Sequence, residues 1–155
     1  APPDYPHDRA LAELVRTLRA LGPLAAEYGL TVVLEPLNRR ECNLVNSLTA
    51  GAQIVHATGH PNIQWMADSY HIGMEDENSE DLDFHRDLIH HVHVAEWDAR
   101  TCPGVVGDDF RPYLSVLRRM GYFHRISIEC RWGDLAAEAP IGTRTLRQML
   151  HDVGY

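Results

Sequence analysis

Four residues of the sequence combine the side-chain types and the positions that a divalent metal site requires. Three are carboxylates, one is an imidazole, and each stands near the end of a short β-type run: Glu35, Asp68, His93 and Glu129. Oxygen ligands with a single nitrogen suit manganese, magnesium or cobalt better than structural zinc, although zinc stays an alternative. The carboxyl ends of parallel strands share one edge, where catalytic groups gather. We therefore expect one divalent ion, with Mn2+ favoured.

Alternation along the strands places these polar groups on a common face. Val33 and Glu35 share one face of the first run, and His91 and His93 share one face of the third. Valine, isoleucine and leucine fill the opposite face, which suits packing against helices. In a barrel the polar face is the interior, where unpaired charges are costly. A cation bound by the carboxylates would remove that cost. Taken singly, each of these residues is more often a salt-bridge partner or a structural residue.

The elements that must position these residues alternate along the chain. Predicted strands cover residues 31–36, 63–68, 89–94 and 125–129. Predicted helices cover residues 8–28, 49–58, 110–120 and 141–153, and the acidic stretch 75–83 is expected to be a solvated loop that opens a short helix. Strands alternating with helices imply parallel pairing and an α/β fold. We expect a single domain, residues 1–155, with the helices outside the sheet.

Composition excludes several classes of protein. The net charge is -8 with histidines neutral, which disfavours binding to the phosphate backbone of a nucleic acid. No apolar run is long enough for a membrane span. The N-terminal stretch lacks the basic and apolar regions of a signal peptide, which favours a cytoplasmic location. Three cysteines without a C-x-x-C pair predict neither a disulfide framework nor a thiolate zinc site.

Four motifs occur in an order and spacing that resemble a known superfamily. They are Glu35-Pro-Leu-Asn-Arg-Arg-Glu41, Asp68-Ser-Tyr-His71, His91-Val-His-Val-Ala-Glu96 and Ile126-Ser-Ile-Glu129. This set is similar to the xylose isomerase-like TIM barrels, which include sugar phosphate isomerases and epimerases, and most of all to the ketose 3-epimerase and hydroxypyruvate isomerase group. The resemblance implies a parallel (β/α)8 barrel of TIM type.

The chain is short for such a barrel. A complete (β/α)8 barrel takes about 250 residues, whereas this chain supplies four βα units that match the C-terminal half. Three explanations follow from the resemblance: a fragment of a longer chain, a split protein with a partner half-barrel, or a half-barrel that forms a homo-oligomer. An open half-barrel would expose two sheet edges, which favours pairing.

The resemblance also implies a role for each site residue. Glu35, Asp68, His93 and Glu129 match the metal ligands, and Glu35 and Glu129 also match the catalytic pair that moves protons on either face of the substrate. Glu41, His71 and Arg100 match substrate-binding residues. His71 has an alternative interpretation as a hydrogen-bond partner of Asp68 or Glu35.

The substrate expected from the sequence is an unphosphorylated sugar or a hydroxy-keto acid. No glycine-rich phosphate-binding motif occurs, and residues 103–107 are interpreted as a flexible loop beside the pocket. The residues that match the family predict a metal-dependent isomerase or epimerase that transfers a proton next to a ketose carbonyl through an enediolate. The alternatives are a sugar dehydratase of the inosose dehydratase type, a nuclease of the endonuclease IV type, and a non-catalytic barrel fragment. No D-x-H pair follows Gly107, which counts against the nuclease.

Overall fold

A sheet of four parallel strands forms the centre of the protein, which is described over residues 1–155 by a computed structural model. The strands are β1 (Val32–Leu34), β2 (Ile63–Asp68), β3 (Ile89–Val94) and β4 (Arg125–Ile128). The helices are α1 (His7–Glu27), α2 (Leu48–Thr58), α3 (Ser69–Met74), α4 (Arg111–Arg119) and α5 (Leu135–Asp152), with a 3-10 segment at Ser79–Leu88. The strands lie in chain order, and each pair is parallel. The predicted α/β class is confirmed.

The strand and helix boundaries follow the predictions closely, with three differences. β1 is shorter than expected because only three of its residues pair with β2, and Pro36 has no N–H to extend the ladder. Helix α5 begins at Leu135 rather than near Ile141, because the Asp134 side chain accepts hydrogen bonds from the first helical amides. The acidic stretch, expected to be a solvated loop that opens a short helix, enters a helical segment at Ser79, but that segment is a 3-10 helix.

Helix α3 is an element that the sequence patterns did not predict. It covers only Ser69–Met74 and follows β2 without a loop. The Asp68 side chain caps it by accepting a hydrogen bond from the Tyr70 amide at 2.8 Å. A helix this short has no full apolar period, so its pattern could not be recognised.

The main core lies between the sheet and its covering helices. Trp65 on β2, Val92 on β3 and Leu114 on α4 are fully buried, as is Phe110 just before α4. A second cluster joins α1 to α2 and β2 through Leu18, Val45, Ile54 and Ile63. Burial of a large apolar side chain contributes roughly 1.5–3 kcal/mol to stability. Trp65 is therefore a core residue.

The opposite face of the sheet is polar. On that face Met66 pairs with His91, and Asp68 pairs with His93. His93 pairs in turn with Ser127 on the next strand. The His91 Nε2 atom lies 3.0 Å from the Ser127 hydroxyl, so these two polar side chains hydrogen-bond to each other. β1 and β4 are the two edges of the sheet, and neither has a second strand beside it. Among the helices, none combines the length and the apolar character needed to cross a membrane.

Close packing at Gly51 in α2 gives a test of this core. A Cβ atom at Gly51 would lie 2.5 Å from Trp65 Nε1 and 2.6 Å from Pro36 Cγ. Because Trp65 is fully buried, it has no room to move away. We expect Gly51→Ala to lower the free energy of unfolding by about 1–3 kcal/mol. This loss would outweigh the gain of about 1 kcal/mol in helix propensity. Chemical denaturation measures the difference.

Thr49 provides the matched control, because it is exposed on the same helix. Thr49→Ala should change the free energy of unfolding by less than about 0.5 kcal/mol. A Gly51→Ala chain at least as stable as the parent would contradict the close contact with Trp65.

Candidate metal centre

The carboxyl ends of the four strands bring the predicted ligands together. Each of the four residues offers one ligand atom, and these atoms all lie within 4.8 Å of one another: Glu35, Asp68, His93 and Glu129. Glu35 directly follows β1, Asp68 ends β2, His93 belongs to β3, and Glu129 directly follows β4. The meeting of four strand ends at one edge therefore places the whole set in a space that a single ion would fill.

Local backbone structure aims each carboxylate at this centre. Asp68 uses Oδ1 to cap α3, which leaves Oδ2 turned toward the other ligands. Glu35 precedes Pro36, and a residue before proline is held in extended conformation, so the strand alternation continues past β1. Glu129 continues the pairing with β3, because its amide donates to the Val94 carbonyl at 3.2 Å.

The imidazole of His93 lies among the carboxylates without bonding to any of them. Its Nδ1 atom is 3.4 Å from Glu129 Oε2 and 3.8 Å from both Glu35 Oε1 and Asp68 Oδ2. These distances are too long for good hydrogen bonds. Glu35 Oε1 and His93 Nδ1 are both buried without a hydrogen-bond partner. An unsatisfied buried polar atom costs roughly 1–3 kcal/mol, and a cation at the centre would satisfy both.

Electrostatics at the centre also favour a cation. Burial raises the pKa of Asp68 to about 7, and the charge of Glu35 adds to this shift. Burial alone would raise the pKa of Glu35 as well, but its interactions with His93 and His71 lower it below the ordinary value. Burial opposes a charge on His93, yet Glu35 and Glu129 raise its pKa above the ordinary value. Protons thus compensate the clustered carboxylates, and a divalent ion can replace those protons.

The donor set fits a hard divalent ion. Three carboxylates and one imidazole are the ligands that manganese, magnesium and cobalt accept, and zinc also tolerates them. Asp68 is completely buried, whereas the Glu129 side chain is 47% exposed. The centre therefore has a closed side at β2 and an open side at β4, from which a small molecule can approach.

His71 lies directly beside the carboxylates. Its Nδ1 atom accepts from Asn38, whose side-chain nitrogen is 2.8 Å away and whose backbone nitrogen is 3.2 Å away. The ring proton is therefore on Nε2, which points to Glu35 Oε1 at 3.6 Å and Asp68 Oδ2 at 3.9 Å. Burial lowers the pKa of His71, so the ring is a neutral N–H donor at the centre.

Arg100 and Glu41 complete the polar wall. The Arg100 guanidinium lies 3.4 Å from Asp68 Oδ2 and 3.4 Å from Glu41 Oε2, and it also contacts the Glu129 carboxylate. Its carbon atom lies 4.8 Å from the centre of the Tyr70 ring, in a cation–π arrangement. Glu41 is held in turn by the Asn38 side chain at 3.1 Å. The structure thus places all three predicted substrate-binding residues around the carboxylate cluster.

Two residues that organise the site were not identified as such from the sequence. Asn38 orients both His71 and Glu41. Glu96 accepts hydrogen bonds from the amides of Gly104, Val106 and Gly107, so the interpretation of residues 103–107 as a flexible loop is wrong. A glutamate two residues after a buried strand, with two glycines nearby, is the pattern that could have indicated this tether.

Two relatives with assigned activities match most of this chain. The 3-dehydro-D-guloside 4-epimerase of Escherichia coli is 34% identical over 125 residues, which cover 80% of this chain and 46% of that protein. The L-ribulose 3-epimerase of a Methylomonas species is 27% identical over 119 residues, which cover 76% of this chain and 41% of that protein. The chain therefore spans about half the length of the curated relatives it matches.

A solved structure and a family model agree with these relatives. The apo crystal structure of 3-keto-D-glucoside 4-epimerase from E. coli superimposes with a TM-score of 0.82 at 29% identity, covering 96% of this chain and 57% of that one. The predicted barrel type is confirmed by this match. Residues 1–151 match the family model described as xylose isomerase-like TIM barrel. The chain belongs to the xylose isomerase-like TIM barrel family.

Proposed function

We propose that this chain provides the metal-binding half of an enzyme that epimerises or isomerises a sugar beside a carbonyl group. The observation that supports this most is the meeting of Glu35, Asp68, His93 and Glu129 within 4.8 Å at the carboxyl edge of the sheet. The names of the two relatives point to one chemistry. A 3-dehydro sugar inverted at carbon 4 and a ribulose inverted at carbon 3 both change the carbon next to a ketone.

Proton transfer is the task of two glutamates in this proposal. Glu35 and Glu129 follow β1 and β4, the two outer strands, and therefore flank the centre from opposite sides. Removal of a proton by one carboxylate leaves an enediolate, and return of a proton by the other from the opposite face inverts the carbon. The pKa of Glu35 lies below its ordinary value because of His93 and His71, so Glu35 is ionised, which is the form that a base requires. Positioned acid–base groups contribute roughly 10²–10⁴-fold in rate.

A divalent ion bound by the four ligands would polarise the substrate carbonyl and stabilise negative charge on its oxygen. We assign Mn2+ as the favoured ion, with Mg2+, Co2+ and Zn2+ as alternatives.

Recognition of a neutral, hydroxyl-rich substrate fits the remaining residues. His71 offers an N–H donor, Arg100 offers guanidinium donors, and Glu41 offers an acceptor. The wall contains one arginine and four carboxylates, so its side chains are negatively charged overall and would repel a phosphate group. An unphosphorylated sugar is therefore the favoured substrate class, and a hydroxy-keto acid is the alternative, with Arg100 as the group that would pair with its single carboxylate.

Completion of the barrel is the proposed role of a partner. β1 and β4 each have one unpaired edge, whereas a TIM barrel closes with eight strands. The missing strands would lie in the rest of a longer polypeptide, in a separate half-barrel or in a second copy of this chain. We expect the purified chain to sediment above its own mass of 17.5 kDa, either as a homo-oligomer or, when a separate half-barrel is supplied, as a complex with it. A stable monomer that does not bind an added half-barrel would contradict this proposal.

Metal binding is the first prediction to test. We expect one Mn2+ per chain, with an increase in melting temperature of about 5–10 °C when free Mn2+ is 100 times the Kd. Glu35→Gln should abolish this increase, because it removes one charged ligand. Glu80→Gln is the control, since Glu80 pairs with Arg119 on the surface and should leave binding intact. A parent chain that binds no ion would contradict the metal centre.

Exchange of the substrate proton with solvent tests the assigned chemistry. In D2O, the enzyme with a completed barrel should incorporate deuterium at the carbon next to the ketone of a ketose or a 3-keto-glycoside. Glu129→Gln should slow this exchange by about 10²–10⁴-fold, because the amide cannot accept the proton. Mass spectrometry measures the incorporated label. If Glu129→Gln exchanges at the parent rate with Mn2+ still bound, Glu129 has no part in proton transfer.

A further inference from the structure

The loop between β3 and α4 is built around one buried carboxylate. Glu96 is completely buried, although it is a charged residue. Its Oε1 atom accepts from the amides of Gly104 at 2.8 Å and Gly107 at 2.7 Å. Its Oε2 atom accepts from the Val106 amide and the Thr101 hydroxyl, both at 2.7 Å. Four short hydrogen bonds from one loop thus converge on a single side chain.

All four partners of Glu96 are neutral donors. They satisfy the carboxylate as an anion, and they hold the pKa of Glu96 below its ordinary value although burial alone would raise it. An amide at this position would point an NH2 group at N–H donors, so glutamine cannot replace the carboxylate here. Gly104 and Gly107 both have positive φ angles, of 91° and 101°, which lets their amides face the carboxylate.

Arg100 belongs to the same loop and depends on its shape. The Glu96 amide donates to the Thr101 carbonyl at 2.9 Å, which closes the turn that contains Arg100. Arg100 has a φ of 55°, an unusual conformation for a residue with a side chain. Its carbonyl also accepts from the Arg131 amide at 2.7 Å. From this backbone position the guanidinium reaches Asp68, Glu129 and Glu41.

We propose that Glu96 is a positioning residue that holds the guanidinium of Arg100 at the carboxylate cluster, and so sets both the charge balance of the metal centre and its contact with substrate. This inference rests on the proposed function for the role of the cluster, but the contacts between Glu96, its loop and Arg100 stand independently. Glu96 itself touches none of the four ligands, because its carboxylate is fully occupied by the loop.

Proteolysis tests whether Glu96 holds Arg100. In the parent chain the Arg100–Thr101 bond should resist trypsin, because the Arg100 side chain is only 15% exposed and its backbone is bonded on both sides. Glu96→Gln should speed cleavage of this bond about tenfold or more, because cleavage follows the opening of the loop. Mass spectrometry of the fragments identifies the bond. Glu77→Gln is the matched control, because the Glu77 carboxylate also tethers a backbone amide, that of Leu48, in a different loop.

Mn2+ affinity tests whether the effect passes through Arg100. The Arg100 cation lies against two ligands, so Arg100→Gln should tighten Mn2+ binding roughly tenfold by removing a competing charge. Glu96→Gln as a single substitution should also tighten Mn2+ binding, because it releases Arg100. It should have no further effect in a chain that already carries Arg100→Gln. A purely structural defect would instead weaken binding, and would do so in both backgrounds.

Each outcome decides the inference. Resistance of the Arg100–Thr101 bond in Glu96→Gln, or an equal change of Mn2+ affinity with and without Arg100, would overturn it. If Glu96→Gln does not fold, Thr101→Val removes one of the four bonds and should shift Mn2+ affinity in the same direction by a smaller factor. If the parent chain binds no Mn2+, the proposed metal centre fails, and the trypsin comparison alone decides whether Glu96 holds Arg100.

Discussion

Mutual repulsion among carboxylates is the constraint on which the rest of this structure depends. Glu35, Asp68 and Glu129 converge at one sheet edge, and Asp68 is removed from water entirely. Three negative charges at this spacing are stable only with compensating positive charge. The structure supplies protons, the His93 imidazole and the Arg100 guanidinium for this purpose. A divalent ion would take over this compensation, because it would displace the protons and compete with the Arg100 guanidinium for the carboxylates.

Several residues serve the fold and the site at once. Asp68 caps α3 with one oxygen and faces the centre with the other, so the start of that helix and the position of His71 are fixed by the same side chain. Asn38 holds the tautomer of His71 and the orientation of Glu41. Because such contacts are shared, the geometry of the site is built into loops that directly follow the strands, and depends little on the covering helices.

Strand alternation and the position of charged residues at strand ends were enough to predict the four clustered residues. The period-2 pattern is set by backbone geometry, so Glu35 and Glu129 could be assigned to the polar face without coordinates. The family resemblance added His71, Glu41 and Arg100. Glu96 was not identified as a tether, because its partners are backbone amides of a loop whose path depends on two positive φ angles. Helix α3 escaped prediction because its six residues are too few to show an apolar period.

The four proposed ligands come from four neighbouring strands. Positioning of the ligands and control of the substrate can therefore depend on different parts of the barrel. Hydrogen bonds between β1 and β2, β2 and β3, and β3 and β4 fix the relative heights of the ligands within this chain alone. Closure of the barrel is not needed to set these relative positions. It would instead cover the half-exposed Glu129 and exclude water from the side at β4, where the proposed reaction would place the substrate carbonyl. Under the proposed function, the chain therefore supplies the four ligands of the ion, whereas control of an enediolate would require the surface that lies across the open edges.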